Sequence, residues 1–213
     1  MRRFVLSLVL LVGVLALADR AGAFAAQRVV AERIQADESL AVRPDVSIAG
    51  FPFLTQLLAG RYQRVDVTVH DLRRGSLAVS RVIAHLTDVD VPFGDVLHQH
   101  VDRITVKRAT GEVDLDYSDV NDLLAGKHLR MSEGTGGRVH MSASAAVAGV
   151  GLHVDGDFPL TVQGSSLVIS LPGGQSVQIP LPQMPFGIQL QSARAESGGI
   201  VIRCSTSRFV LRP

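Results

Sequence analysis

Val65-Asp66-Val67-Thr68-Val69-His70 alternates apolar and polar residues over six consecutive positions. That period puts the three valines on one face of a strand, whereas a helix would scatter them around its circumference. β-Branched side chains also favour a pleated, half-buried surface. The segment therefore predicts a strand of an antiparallel sheet with one wet face, and the same pattern recurs on both sides of it. Upstream, Val46-Ser47-Ile48 alternates. Downstream, Leu77-Ala78-Val79 opens a strand that runs to about Val91, with a parity switch near Arg81-Val82-Ile83 that predicts a bulge or bend. Ile104-Thr105-Val106 and Val113-Asp114-Leu115-Asp116-Tyr117 alternate around Thr110-Gly111, the pattern of a hairpin.

The rest of the chain continues in this style. Ser118-Asp119-Val120-Asn121-Asp122-Leu123-Leu124-Ala125-Gly126 reads as a short helix, with Ser118 as its cap, acids in the first turn and Gly126 closing it. Glu133-Gly134-Thr135-Gly136-Gly137 is a turn. Strands are predicted over 138–148, 152–158 and 163–171, then a turn at Pro172-Gly173-Gly174, then strands at 177–179, 188–190 and 199–211. A Pro-rich apolar connection, Pro180-Leu181-Pro182-Gln183-Met184-Pro185-Phe186-Gly187, separates two of these. No linker, low-complexity segment or repeat divides the series. One domain over 24–213 is expected, α+β in class: a long N-terminal helix packed on a mainly antiparallel sheet.

That helix is predicted over 24–40, where Phe24, Ala25, Val29, Ala31 and Ile34 share an apolar stripe and Pro44 blocks continuation. Before it comes Met1-Arg2-Arg3, an apolar run over 4–18, and Ala21-Gly22-Ala23. A basic start, an apolar middle and an A-x-A site describe a secretory signal peptide over 1–23. The run is short for a spanning helix, yet the helical residues after it could extend it into an uncleaved anchor. The expected localisation is the periplasm or cell envelope.

Between two of the predicted strands lies Gly50-Phe51-Pro52-Phe53-Leu54-Thr55-Gln56-Leu57-Leu58-Ala59-Gly60. Pro52 lacks an N–H and biases Phe51 towards extended geometry, so the segment is no central strand and reads as a connection. A connection this apolar either plugs a core or offers a surface to something apolar.

Composition narrows the field. The chain has 21 basic and 20 acidic residues, and without Arg2, Arg3, Arg20 and Asp19 the counts are 18 and 19. A charge so near zero gives no field for nucleic acid. There is no Trp and there are two Tyr, so stacking platforms for bases or sugars lack their usual rings. The single Cys204, in a predicted strand, cannot form an internal disulfide and reads as a small buried apolar residue. His98-Gln99-His100 would put two rings on one strand face, but a zinc site needs further ligands, and solvated histidines are the plainer reading. No G-x-S-x-G elbow or phosphate loop occurs. Glu112, Asp114 and Asp116 share a strand face, as the wet side of a half-buried strand would. No catalytic residue, metal or cofactor is expected.

What remains is apolar surface. One helix covers only part of so large a sheet, so the uncovered apolar face must close on itself, meet a partner or enclose a ligand. Ala143, Ala145, Ala146, Ala148, Gly149 and Gly151 leave room that large side chains would fill.

The residues also carry a resemblance. The helix Ala25-Ala26-Gln27-Arg28-Val29-Val30-Ala31-Glu32-Arg33-Ile34-Gln35 is followed by Pro44-Asp45-Val46-Ser47-Ile48-Ala49 and the whole 50–60 segment. Tyr62, Val65, Val67, Val69 and the Ser118-Asp119-Val120-Asn121 start follow in turn. With an exported N-terminus, this pattern resembles the LmeA-like family of exported actinobacterial (mycobacterial) phospholipid-binding proteins, over most of the chain. The resemblance implies non-catalytic phospholipid binding in the envelope, and its namesake is associated with maturation of mannosylated lipoglycans. It implies a fold similar to tubular lipid-binding (TULIP/BPI-like) modules, with a curled sheet around a long helix and a groove for acyl chains. Phospholipid, phosphatidylinositol types included, is the implied partner, with transient contact at a membrane surface. Candidate lid or rim residues are Phe51, Phe53, Leu54, Leu57, Leu58, Phe93, Met184 and Phe186, and candidate head-group residues are Arg61 and Arg64. A scaffolding domain that contacts envelope proteins through residues 51–58 is the alternative reading.

Overall fold

The computed structural model describes the chain except residues 1, 75–76, 98–100, 102, 126–128, 148–149, 182–187 and 212–213. The described residues form four α-helices and twelve strands. In chain order they are α1 (Arg2–Asp37), β1 (Asp45–Ala49), α2 (Phe53–Ala59), β2 (Arg61–Arg74), β3 (Leu77–Asp90), α3 (Phe93–Leu97), β4 (Ile104–Asp116) and α4 (Tyr117–Leu124). There follow β5 (Leu129–Glu133), β6 (Val139–Val147), β7 (Val150–Phe158), β8 (Leu160–Gln163), β9 (Ser166–Ser170), β10 (Ser176–Pro180), β11 (Gln189–Glu196) and β12 (Gly199–Leu211). A six-stranded sheet has the order β1-β2-β3-β4-β12-β11, and two three-stranded sheets have the orders β10-β9-β8 and β5-β6-β7. The class is α+β, as the alternation predicted.

The helix and the leader are one element. No Pro interrupts residues 2–37 and Ala is the commonest residue there, so α1 runs unbroken for 36 residues, about 54 Å at 1.5 Å per residue. Burial along α1 begins at Asp19 and recurs at Ala23 and Ala31, with Gly22, Ala26, Ile34 and Gln35 half-buried, a stripe at helical spacing.

Several local expectations are corrected. Thr110-Gly111 makes no hairpin, because β4 runs straight through it. Gly111 is there for close packing instead: a Cβ on it would sit 3.1 Å from both the Cys204 Sγ and the Ile83 carbonyl oxygen. The strand predicted over 163–171 is present as β9 but starts later, because Gly164 at φ 59° turns the chain between it and β8. The helix predicted from Ser118 starts one residue earlier, with Asp116 as its N-cap residue. β5 escaped the reading altogether. β3 runs as the single strand predicted from Leu77, and it carries a left-handed residue at Asp88. Of the small residues, Ala143, Ala145 and Ala146 belong to β6 and Gly151 to β7, while Ala148 and Gly149 lie outside the described residues.

The chain divides into two compact units. The first comprises Met1–Thr68, His85–Ala109 and Ser207–Pro213, and the second Val69–Ala84 and Thr110–Thr206. The second has a core of Leu115, Val120, Leu124, Met131, Leu167 and Ile200 with their neighbours. There Asn121 ties α4 to β5 in both directions, donating to the Met131 carbonyl at 2.8 Å and accepting from the Met131 N–H at 2.6 Å. Two of the acids of β4 are held in ion pairs: Glu112 with Arg203 at 2.8 Å and Asp114 with Arg81 at 2.6 Å. Cys204 is half-buried and its thiol donates to the Gly111 carbonyl at 3.5 Å; burial pushes its pKa up. The first unit has its own core, Ala23, Ile48, Phe53, Tyr62, Val89 and Val106.

Candidate functional site

The greasy 50–60 segment lies wholly within the first unit. It is a helix in its middle and not the connection its Pro suggested. Gly50 leaves β1 at φ 112°, the Phe51–Pro52 peptide is cis, and Pro52 takes the extended N-cap conformation at φ −74° and ψ 141°. Pro52 has no side-chain acceptor, and the first amides of any helix need one. Asp19, on α1, supplies it. Its Oδ1 accepts the Leu54 N–H at 2.8 Å, and the Phe53 N–H is directed at the same carboxylate. A carboxylate at a helix N-terminus also meets the positive end of the dipole.

Asp19 is only 2% exposed, and its charge is met by Arg20, whose guanidinium donates to Asp19 Oδ2 at 2.7 Å. The same Arg20 donates to the Gly50 carbonyl at 3.2 Å and lies 5.3 Å from the centre of the Phe51 ring, within cation–π range. Two adjacent residues of α1 thus hold both the entry turn and the first turn of α2. Gly22 completes the joint, since a Cβ there would already touch Leu54 at 3.4 Å and Phe53 at 3.7 Å.

The far end of α2 closes on Gly60, left-handed at φ 65°, whose N–H reaches the Gln56 and Leu57 carbonyls. Its carbonyl accepts from the Val91 N–H at 2.9 Å, which brings α3 alongside. A Cβ at Gly60 would lie 2.7 Å from the Val91 oxygen, so glycine is required there for space as well as for φ.

Between these ends α2 has two apolar faces. Phe53, 1% exposed, is the largest fully buried side chain described in the first unit, its ring tilted against Tyr62 at 6.4 Å, and Leu57 packs beside it. Burial pushes the Tyr62 phenol pKa up. Phe51 and Leu58 point the other way, 65% and 66% exposed, and Leu54 is exposed with them. Leu54 and Leu58 are four apart and share one side of the helix. Gln56 is buried between, its Oε1 accepting the Gln63 N–H at 2.9 Å while its Nε2 has no partner among the described residues.

Phe93, half-buried, starts α3 beside α2. Arg61 is 82% exposed on β2 and 3.7 Å from Asp90. Arg64 is exposed opposite Ala49 in the β1–β2 ladder. The structure thus brings Phe51, Phe53, Leu54, Leu57, Leu58, Phe93 and Arg61 to one neighbourhood. Met184 and Phe186 lie outside the described residues, as do His98, His100 and Asp102. Every large apolar side chain that is exposed among the described residues belongs to the first unit, and beyond residue 18 the most exposed are Phe24, Leu58, Phe51 and Val29.

The sequence reading missed Asp19 and Arg20, which it took for the polar end of a leader. Two signals were available. The 3.6-residue spacing Asp19, Ala23, Ala31 extends the buried stripe of α1 upstream of the A-x-A site. A Pro at the N-cap position also demands an acceptor from elsewhere.

Comparison with curated proteins and with solved structures gave no match. The model of the LmeA-like phospholipid-binding family matches residues 17–205. The match starts just before the Asp19–Arg20 joint and takes in α2, every strand from β1 to β11 and the first half of β12, so the chain belongs to the LmeA-like phospholipid-binding family.

Proposed function

We propose that the protein is a non-catalytic phospholipid-binding protein of the cell envelope, which holds or shuttles lipid by burying acyl chains against the first unit. Family membership supports phospholipid as the ligand class. The single observation that carries the location is the outward apolar surface at α2, where Leu54 and Leu58 stand exposed on the helix and Phe51 on the turn before it, while Phe53 fills the inner face. Each methylene removed from water contributes about 0.8 kcal/mol, so a partly buried acyl chain gives useful affinity. Arg61 and Arg64 stand next to this face in the chain and suit an anionic head group. Support of lipoglycan maturation in the envelope is the wider role of such a carrier.

Native mass spectrometry of the full chain, extracted from membranes, tests this reading. Bound phospholipid at a defined stoichiometry is expected. Protein that carries none, and takes none from liposomes, refutes it. The same apolar face would suit a protein partner, and exchange of Phe51 for Ser separates the two: loss of partner capture with lipid uptake intact favours scaffolding.

A further inference from the structure

We propose that α1 stays with the folded protein as a membrane anchor, and that residues 19–23 are a structural joint that holds α2 on the surface of an anionic phospholipid bilayer. The sequence alone marks Ala21-Gly22-Ala23 as a scission site, but in the fold those residues are structural. Ala23 is a core residue of the first unit and Gly22 packs against Phe53 and Leu54. Cutting after Ala23 removes Asp19, Arg20, Gly22 and Ala23 together. The Leu54 amide and the Gly50 carbonyl then lose these partners, the Phe51 ring loses its guanidinium, and Phe53 loses part of its cover.

What lies upstream of the joint suits a bilayer. Residues 4–18 carry no charge, and α1 is almost wholly exposed up to Ala18. The single hydroxyl in that run, on Ser7, donates to the Arg3 carbonyl at 3.0 Å, so it is satisfied within the helix. Residues 2–18 span roughly 25 Å, at the short end of what crosses the hydrocarbon. The first charged residues after the run are Asp19 and Arg20, the pair that grips α2. The apolar segment therefore ends where the exposed Phe51, Leu54 and Leu58 begin, with Arg20 and Arg61 beside them. Exposed apolar side chains with two arginines beside them at the end of a span suit an anionic membrane surface. The joint does not depend on any lipid being held inside the fold.

Two measurements test it. The intact mass of the full chain, carrying a C-terminal tag and extracted from the membranes of its own host, should correspond to a chain that retains residues 2–23. A mass beginning at residue 24 overturns the proposal. The chain has no Trp, so Phe51→Trp introduces a single indole, excited apart from the two tyrosines, at an exposed position. In nanodiscs containing phosphatidylglycerol, lipids brominated near the glycerol end of their acyl chains should reduce its emission about twofold. Emission equal to that in unbrominated nanodiscs overturns the placement of α2. Neither readout reports on co-purified lipid, so this proposal and the lipid-binding reading can fail separately.

Discussion

The Asp19 carboxylate accepts the Leu54 amide at 2.8 Å across 35 positions of sequence, so the N-terminus of α2 is capped by a different helix. Replacing Asp19 with Ala leaves that amide without an acceptor and Arg20 without its counter-ion. Loss of a cap of this kind lowers the thermal midpoint of a domain of this size by roughly 2–6 °C. Hydrogen exchange should localise the effect, with faster exchange at Phe53 and Leu54 and none at Met131 in the other unit. Unchanged exchange at Leu54 would remove the capping role.

Phe51 and Phe53 are two residues apart and should respond oppositely. Phe53→Ala opens a cavity in the core of the first unit and should cost about 3–5 kcal/mol in urea unfolding. Phe51→Ala changes a largely exposed ring and should stay within about 1 kcal/mol, allowing for its contact with Arg20. Liposome flotation should show the reverse order, with Phe51→Ala binding vesicles more weakly than the parent. Equal stability losses for the two would contradict the inside–outside division of α2.

Gly60 and Gly136 have nearly the same backbone, at φ 65° and φ 63°, but different surroundings. A Cβ at Gly136 meets nothing within 4 Å, whereas one at Gly60 meets the Val91 carbonyl. Asn tolerates the left-handed region better than other residues. Gly136→Asn should therefore be nearly neutral in thermal unfolding, while Gly60→Asn should lose about 1–3 kcal/mol. If Asn is tolerated equally at both sites, the constraint at Gly60 is φ alone.

Asp157 supplies a pH dependence. The Thr135 hydroxyl and the Thr135 N–H, at 2.6 and 2.9 Å, with His140 at 2.9 Å, pull its pKa from 3.8 down to about 2. A carboxylate with a depressed folded pKa adds stability that is complete above its unfolded pKa and lost as pH falls through the folded one. The loss should fall between about pH 4 and pH 2. Thermal midpoints measured across that window should drop less steeply for Asp157→Asn than for the parent, and parallel slopes would exclude Asp157 as the source.

Strand alternation made the class legible, because a two-residue apolar period suits an extended strand and no helix. The misreadings have a common physical origin. Thr110-Gly111 and Gly164-Ser165 look alike in sequence, yet only Gly164 turns the chain. Gly111 answers to Cys204 and Ile83, which lie far away in sequence and leave no local trace. Pro52 correctly excluded a central strand, but it also suits the N-cap position of a helix, and the acceptor that makes α2 possible sits in what looked like a disposable leader. The question whether residues 51–58 plug or cover was badly posed, since a helix has two sides and this one uses Phe53 for one and Leu58 for the other.

Cys204 has a consequence for handling. Only a thiolate attacks a disulfide, and a half-buried thiol whose pKa is raised keeps that species scarce at neutral pH. Mixed disulfides with glutathione, and covalent pairing of two copies, should therefore form slowly at this site packed against Gly111. The protein can therefore meet an oxidising environment with its one sulfhydryl intact, and maleimide reagents will modify an engineered surface cysteine well before they reach the native one.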